Sequence, residues 1–334
     1  MSTIRTRLTA VAAHLPERTV TTAELEDQIA DLNPGLEIPR GLVERFSGVR
    51  RRHLAPLTER PSDLAVTAAR KVLDRTGTSP DGVDLLLFTG VSMDVIEPAN
   101  ANPVAAKLGL SCPVFDIRNA CNSVCNAIEV ADAFITTGRY RTVLIACGEI
   151  NTMYMARIVA DRRAFVDVAA GYTLSDAGAA LLLEAGAEAG VLACRFAAHS
   201  PAWQAATMPI IHRPGDMRVG NFAVDAVGLT EGVRSIDPDG FVKFLADQGL
   251  TWDDFAVICI HQAALPALWA VCDLYAIPRD KTIVTIADHG NVAAATLPLQ
   301  LAMATASGRV RRGDLVAFLG LASGFSAGLI VFRW

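Results

Sequence analysis

Two segments of this chain, one in each half, follow the same order of structural signals, and this repetition restricts the fold more than any other feature. FDIRNACNSVCNAIEVADAFITTGRYRTVLIA starts at Phe115, and TIADHGNVAAATLPLQLAMATASGRVRRGDLVAFL starts at Thr285. Each segment predicts a short extended piece, then an alanine-rich helix that ends at Gly138 or Gly308, then an apolar strand. The chain therefore contains two copies of one supersecondary unit.

The two copies place particular residues at equivalent positions. Cys121 precedes Gly138 by the same number of residues as Asn291 precedes Gly308, and each stands near the predicted start of a helix. A second pair of apolar strands, VDLLLFTG and FAVICIH, repeats at nearly the same separation, and the later one ends at His261. Pairing of the two copies would bring the strand ends of both halves to one central site.

Alternating apolar strands and alanine-rich helices assign the chain to the α/β class. We predict two similar halves, residues 1–180 and 181–334, related by pseudo-two-fold symmetry and packed as one compact unit. The stretch from Ser200 to Asp239 is richer in Gly, Pro, Asp and Met and has weak periodicity. It is therefore predicted to be a long connection or lid.

Composition excludes several classes of protein. The chain is 51% hydrophobic, so it can bury a large core, and its seven cysteines lie in apolar runs such as VLIACGE, which is typical of reduced thiols in the cytoplasm. No run reaches the ~20 apolar residues of a membrane span. A net charge of −5 without a basic block argues against a nucleic-acid partner. No spaced Cys/His cluster indicates a metal site.

Cys121 is the strongest candidate for chemistry. A thiol near a helix N-terminus meets unpaired backbone N–H groups and the positive end of the helix dipole, which favour a thiolate. Cys125, one turn later, lacks that environment, and we interpret it as a small core residue.

His261 and Asn291 are the candidate partners of Cys121. Taken alone, His261 has an equally simple interpretation as a core histidine at a strand end, and Asn291 as a helix N-cap after Gly290. The duplication changes this balance, because it brings both side chains towards Cys121. We therefore predict a Cys, His and Asn site.

These residues also carry a family resemblance. The motifs AVAAHLPERTVTTAELED, SGVRRRHLA, DIRNAC, SDAGAALLLE, HQAA, HGN and LGLASGFSAGLIVFRW occur in an order that resembles the β-ketoacyl-ACP synthase III branch of the thiolase-like condensing enzymes. The resemblance covers almost the whole chain. It implies a thiolase-like α-β-α-β-α fold of five layers, with Cys121 as the acylated nucleophile and with His261 and Asn291 completing a triad.

The resemblance also implies a reaction. Cys121 would take an acyl group from a thioester, while backbone N–H groups of Cys121 and of a turn that includes Ser323 and Gly324 hold the oxyanion. A malonyl thioester would then lose carbon dioxide, and His261 and Asn291 would stabilise the enolate. No metal or organic cofactor is expected. Acyl-CoA or acyl-ACP would be the substrate.

Departures from the family pattern bear on the acyl donor. Leu42 and Phe46 stand where better-known relatives have a tryptophan and an arginine around the adenine of coenzyme A, so a carrier protein is the favoured donor. The sequence places four arginines where they are candidates for phosphopantetheine or carrier contacts, namely Arg45, Arg50, Arg51 and Arg52. A solvated or structural role is the simpler alternative for each.

Relatives of this family are generally homodimers joined through a strand of the central sheet. The apolar stretch from Leu85 to Ile96 suits such an interface and an acyl pocket, in which Val91, Ser92 and Met93 are candidate lining residues. An ordinary core role is the alternative for these three.

Three functions remain open from the sequence. The first is decarboxylative condensation in a specialised fatty-acid or polyketide pathway, which the retained Asn291 favours. The second is transfer of the acyl group to a hydroxyl or amine of a natural product, with His261 as general base. The third is a non-catalytic partner subunit of a condensing complex, against which the intact Cys121 argues.

Overall fold

A five-stranded sheet organises the first half of the molecule. The structure, a computed structural model, describes residues 4–334 except 189, 226, 227, 229–231, 233, 234 and 237. In spatial order the strands of this sheet are β1 (Arg5–His14), β7 (Asp176–Gly186), β6 (Thr142–Ile150), β4 (Leu85–Thr89) and β5 (Val114–Ile117). Strand β4 runs parallel to both β5 and β6, whereas β7 is antiparallel to its neighbours.

A four-stranded sheet in the second half repeats this arrangement. Its strands, in spatial order, are β8 (Val191–Ala198), β15 (Ser326–Arg333), β14 (Leu315–Ala322) and β13 (Val257–Ile260). The order and the directions match β1, β7, β6 and β4 of the first sheet, including the single parallel pair β13 and β14. The duplication predicted from the sequence is thus present in the strand topology.

Helices pack on both faces of the sheets. Those in the described part of the chain are α1 (Thr22–Leu32), α2 (Leu42–Ser47), α3 (Pro61–Thr76), α4 (Ala101–Leu108), α5 (Ser123–Thr136), α6 (Arg162–Val168), α7 (Pro238–Asp247), α8 (Leu265–Leu274), α9 (Ile286–His289) and α10 (Thr296–Ala306). None of these combines the length and the apolar character required to cross a bilayer.

The core shows the predicted five layers. Helices α5 and α10 form the middle layer, and the central core consists of their apolar residues and of the facing side chains of both sheets. The outer face of the first sheet packs against α3 and α4, and the outer face of the second against α7 and α8. Because β4 is covered on both faces, its sequence is a continuous apolar run, LLLFT, rather than an alternating one.

The structure differs from the predictions at one domain boundary and in one predicted interface stretch. Strand β7 continues to Gly186 and β8 begins at Val191, so the halves meet in residues 187–190 and not after residue 180. Within the stretch from Leu85 to Ile96 that was predicted to suit a subunit interface, β4 is an interior strand paired on both sides, so its backbone is not free to pair with a second subunit. The edge strands of the first sheet are β1 and β5.

The predicted connection from Ser200 to Asp239 contains short elements of secondary structure where it is described. It includes the paired strands β9 (Ala206–Thr207) and β12 (Ala223–Val224) and the hairpin β10 (Ile210–Arg213) and β11 (Asp216–Val219). Part of the stretch lies outside the described residues. A further small sheet, β2 (Thr19–Thr21) with β3 (Arg51–His53), lies in the first half.

Candidate active site

Cys121 lies in a tight turn between β5 and α5. Ser123, the first residue of α5, fixes this turn, because its Oγ accepts a hydrogen bond from the N–H of Asn119 (2.8 Å) and donates one to the carbonyl of Ala120 (2.6 Å). Ala120 has a left-handed backbone with φ of 47°, which non-glycine residues seldom adopt. Its equivalent in the other half, Gly290, has φ of 67°, so a residue of positive φ precedes both Cys121 and Asn291.

Asn122, next to the nucleophile candidate, fills a notch in the second sheet. Gly320 of β14 and Gly328 of β15 are directly paired, and the absence of side chains at both leaves room for the buried Asn122 amide. Neither polar atom of that amide has a hydrogen-bond partner among the described residues. This contact fixes Cys121 against the end of β14.

His261 follows β13 at the same edge of the second sheet. Its backbone N–H donates to the carbonyl of Leu319 in β14 (3.0 Å), one residue from the Gly320 notch. The side chain is 9% exposed, and its Nδ1 has no hydrogen-bond partner within the described ranges. Burial lowers the pKa of His261 to about 4, with a smaller opposing effect from the backbone of Ala293. The imidazole is therefore neutral at physiological pH.

Asn291 is held by the first half of the chain. Its N–H donates to the carbonyl of Thr173 (2.7 Å), and its carbonyl accepts from the N–H of Ser175 (2.9 Å), just before β7. The side-chain Oδ1 accepts from the N–H of Ala293 (3.0 Å). Because the amide oxygen is occupied in this way, the amide nitrogen is the group free to donate to a substrate. Asn291 precedes α10 by a short turn, Ala293–Ala295, and is not itself the N-cap.

These contacts bring the three predicted residues to one place. Cys121 is tied to β14 through Asn122, and His261 is tied to the same strand end. The backbone of Ala293 touches both the His261 ring and the Asn291 amide. The site thus lies between the two sheets, at the ends of β13 and β14 and at the start of α5. Cys125 is buried in the central core, where it was expected.

The electrostatic environment of Cys121 differs from the sequence expectation. The residue keeps partial exposure, but burial of its surroundings raises its pKa to about 12, and the nearby charge of Glu149 adds to this rise. The helix N-terminus was predicted to favour a thiolate, and desolvation outweighs that effect here. The resting pair is accordingly a thiol and a neutral imidazole.

Glu149 is a site residue that the sequence analysis missed. It is fully buried at the end of β6, and burial raises its pKa to about 7 despite hydrogen bonds from the N–H groups of Val91, Ser92 and Ala294. The available signal was a carboxylate inside the apolar run VLIACGEI, since charged residues are rarely buried without partners.

The predicted acyl-pocket residues have different environments. Ser92 is fully buried, and its Oγ accepts from the N–H of Ile150 (3.0 Å) and bonds with Asn151 Oδ1 (3.1 Å), so it holds the chain rather than facing an open pocket. Val91 and Met93 are partly exposed, and Arg118 bonds to the Val91 carbonyl and to the Met93 sulfur. Only these two remain candidates for contact with an acyl chain.

The four predicted carrier-contact arginines divide into two groups. Arg45 and Arg50 line an open cavity of about 480 Å³, and Arg50 and Arg51 pair with Asp288 at 2.6 and 3.8 Å. Arg52 is only 1% exposed and donates to the Thr22 hydroxyl and the Tyr172 carbonyl, both at 3.0 Å. The prediction of a carrier contact is therefore wrong for Arg52, which has a structural role.

The predicted oxyanion turn connects β14 to β15. Gly324 has φ of 78°, which suits glycine, and Ser323 and Gly324 are partly exposed. Just beyond the turn, Ser326 Oγ bonds to Asn119 Oδ1 at 3.3 Å. The turn consequently lies against the loop that carries Cys121.

Two sheets of the same strand order around two shared helices define the thiolase-like fold. Family models agree with it: the model described as 3-oxoacyl-[acyl-carrier-protein] synthase III matches residues 115–200, and the model of the C-terminal part of the same enzyme matches residues 245–334. Together they cover just over half of the chain. This chain belongs to the 3-oxoacyl-[acyl-carrier-protein] synthase III family of condensing enzymes.

Solved structures share this fold over their whole length. A variant of OleA from Xanthomonas campestris is 23% identical, with 99% of this chain and 98% of that chain covered and a TM-score of 0.89. FabH from Pseudomonas aeruginosa, a 3-oxoacyl-(acyl carrier protein) synthase III, is 24% identical, with coverage of 99% and 98% and a TM-score of 0.85. An OleA structure with bound lauric acid and lauroyl-CoA is 24% identical, with 99% of each chain covered and a TM-score of 0.85.

Proposed function

We propose that this protein catalyses a decarboxylative condensation, in which an acyl group on Cys121 is joined to a malonyl thioester. One observation carries the proposal. A neutral imidazole, His261, and an amide, Asn291, both contact the backbone of Ala293, and the strand end that holds His261 also receives Asn122, the neighbour of Cys121. A neutral imidazole N–H and an amide N–H are the donors that a developing enolate oxygen requires.

The first half-reaction is acylation of the thiol. The Cys121 sulfur attacks the carbonyl carbon of the donor thioester, and His261 takes the thiol proton and returns it to the departing thiol of coenzyme A or of the carrier. Because Cys121 is protonated at rest, its ionisation is coupled to this proton transfer. The turn of Ser323 and Gly324 supplies backbone N–H groups for the tetrahedral oxyanion.

The second half-reaction forms a carbon–carbon bond. The malonyl thioester releases carbon dioxide, and the electron pair of the broken bond becomes an enolate whose oxygen accepts hydrogen bonds from His261 and Asn291. The enolate carbon attacks the acyl carbonyl on Cys121, the carbon–sulfur bond breaks with its electron pair on sulfur, and the Cys121 thiolate takes up one proton from solvent, which neutralises the negative charge that the malonyl carboxylate brought. The product is a 3-oxoacyl thioester. No metal or organic cofactor takes part.

The acyl donor is proposed to be a thioester on a carrier protein or on coenzyme A. Arg45 is proposed to contact the phosphopantetheine phosphate at the cavity that Glu44 and Arg50 also line, because Arg50 is already paired with Asp288. Since OleA has been crystallised with lauroyl-CoA, long-chain CoA thioesters belong in the donor panel. We further propose a homodimer that joins through the free edge of β5, where Phe115 is 36% exposed, and a cytoplasmic location in keeping with the free cysteines.

The test of this function measures acylation and condensation, the two half-reactions, separately. Purified wild type and Asn291→Ala are supplied with an acyl donor and labelled malonyl-carrier protein, and acyl-enzyme, carbon dioxide and 3-oxoacyl product are measured. We expect the variant to form acyl-Cys121 while it releases at least about 100-fold less carbon dioxide, by analogy with the loss of a single oxyanion donor. If the variant condenses as fast as the wild type, the assignment of Asn291 is wrong. If the wild type acylates but ignores malonyl thioester, acyl transfer to a hydroxyl or amine replaces condensation.

A further inference from the structure

Glu149 joins the segments that form the two sides of the site. Its Oε1 accepts from the N–H groups of Val91 and Ala294, both at 3.1 Å, and its Oε2 accepts from those of Val91 (3.0 Å) and Ser92 (3.2 Å). Val91 and Ser92 follow β4 in the first half. Ala294 belongs to the turn that touches both His261 and Asn291. One carboxylate thereby fixes the first half of the site against the second.

The chain is shaped to bring these N–H groups to the carboxylate. Gly90 has φ of 153°, and a Cβ there would lie 2.7 Å from the carbonyl of Gly148, so only glycine lets the loop after β4 turn this closely around β6. Consecutive N–H groups at Val91 and Ser92 then point at one anion. The structure therefore favours a buried carboxylate at position 149.

The charge of Glu149 also acts on the nucleophile candidate. In the described part of the chain, the negative charge of Glu149 contributes to raising the pKa of Cys121, Cys147 and Tyr154. Among these, Cys121 alone is proposed to react. Asp176, another buried carboxyl of this sheet, also accepts hydrogen bonds from backbone N–H groups, those of Ala55 and Thr152, but it does not raise the pKa of Cys121.

We infer that Glu149 is a positioning residue whose carboxylate holds the two halves of the site in register, and whose buried negative charge adds to the desolvation that keeps Cys121 protonated before substrate binds. The inference rests on the proposed role of Cys121. A protonated Cys121 would protect the free enzyme from off-pathway acylation and oxidation, because the thiolate is the reactive form. The charge of Glu149 adds to the proposed function a reason why the thiol is unreactive at rest.

Alkylation of Cys121 tests this inference without any acyl donor, so its outcome is independent of whether the protein condenses thioesters. Wild type, Glu149→Gln and the matched control Asp176→Asn are treated with iodoacetamide from pH 6 to pH 9, and the Cys121 peptide is quantified by mass spectrometry. We expect Glu149→Gln to alkylate about tenfold faster at pH 8, which corresponds to a fall of about one unit in the pKa of Cys121. Asp176→Asn should follow the wild-type profile.

A second measurement uses the wild type alone, so the inference stays testable if Glu149→Gln fails to fold. Ionisation of Glu149 near neutral pH should raise the pKa of Cys121, and the logarithm of the alkylation rate should then rise with a slope below one around pH 7. A constant slope of one through this range would overturn the inference. So would a Glu149→Gln profile identical to that of the wild type, or an equal acceleration in Asp176→Asn.

Discussion

The substitution Gly320→Ala should measure how tightly the loop that carries Cys121 and Asn122 packs against β14. A Cβ at this position would overlap Asn122 Oδ1 and would lie 3.0 Å from Cys125 Sγ. The Asn122 amide cannot retreat towards β15, because Gly328 and the ring of Phe196 occupy that side of the notch. Overpacking of this kind costs about 1–3 kcal/mol of unfolding free energy. We therefore expect Gly320→Ala to destabilise the protein by about 2 kcal/mol.

Removal of the Asn122 side chain should relieve the clash. Asn122→Ala deletes an amide that is buried without partners among the described residues, a state that itself costs about 1–3 kcal/mol, and this gain offsets the packing lost with the side chain. The added methyl group of Gly320→Ala then fills part of the vacated space. The double-mutant cycle should show a coupling of at least about 1 kcal/mol.

Urea unfolding followed by tryptophan fluorescence measures this cycle, and the rate of acyl-Cys121 formation reports on the site. We expect Gly320→Ala to slow acylation by about tenfold or more, because displacement of Asn122 moves the adjacent thiol. Gly35→Ala is the control, since Gly35 has ordinary φ and no atom within 4 Å of its added Cβ. If the stability effects of the Gly320 and Asn122 substitutions are additive, or if Gly35→Ala has the same effects as Gly320→Ala, then the side chain of Asn122 is not held in the notch at Gly320.

Three other substitutions test separate parts of the structure. Cys121→Ala should abolish acyl-enzyme formation, whereas Cys125→Ala should leave at least half of it, as measured by intact-protein mass. Burial lowers the pKa of His261 from 6.5 to about 4, so the unfolded chain binds a proton at a higher pH than the folded protein does. The unfolding free energy of the wild type, measured by urea titration, should therefore fall by about 2 kcal/mol relative to that of His261→Gln between pH 7 and pH 5. Arg52→Met should cost about 3 kcal/mol, and Arg51→Met less than about 0.5 kcal/mol.

Each of these has an outcome that would contradict it. Equal loss of acylation in both cysteine variants would show that the nucleophile is misassigned. A stability difference that does not change with pH, or that changes equally for His212→Gln at an exposed position, would mean that His261 is not buried as a neutral ring. Equal costs for the two arginine variants would remove the distinction between the buried Arg52 and its exposed neighbour.

The sequence was sufficient where a pattern repeats along the chain. Helices that end before Gly138 and Gly308 indicated the two copies, and the structure confirms the duplication in the shared order of four strands in each sheet. The equivalence of Cys121 and Asn291 extends to the left-handed residue ahead of each. Such features are local, so they leave a trace in the spacing of residue types.

Features set by distant contacts left little trace. Arg50, Arg51 and Arg52 look alike in the sequence, yet only Arg52 points into the protein, because its partners Thr22 and Tyr172 come from remote segments. The state of the Cys121 thiol could not be predicted from the helix N-terminus alone. Desolvation by the surrounding sheets and the charge of Glu149 depend on the assembled fold.

The central claim is that Cys121 carries an acyl group that a malonyl thioester then consumes. The most direct test is intact-protein mass spectrometry after incubation with acyl-CoA and acyl-carrier thioesters, followed by a chase with malonyl-carrier protein. We predict an acyl adduct that maps to Cys121 and disappears with release of carbon dioxide and a 3-oxoacyl product. An adduct that maps elsewhere, or the absence of any adduct across the donor panel, would contradict the account.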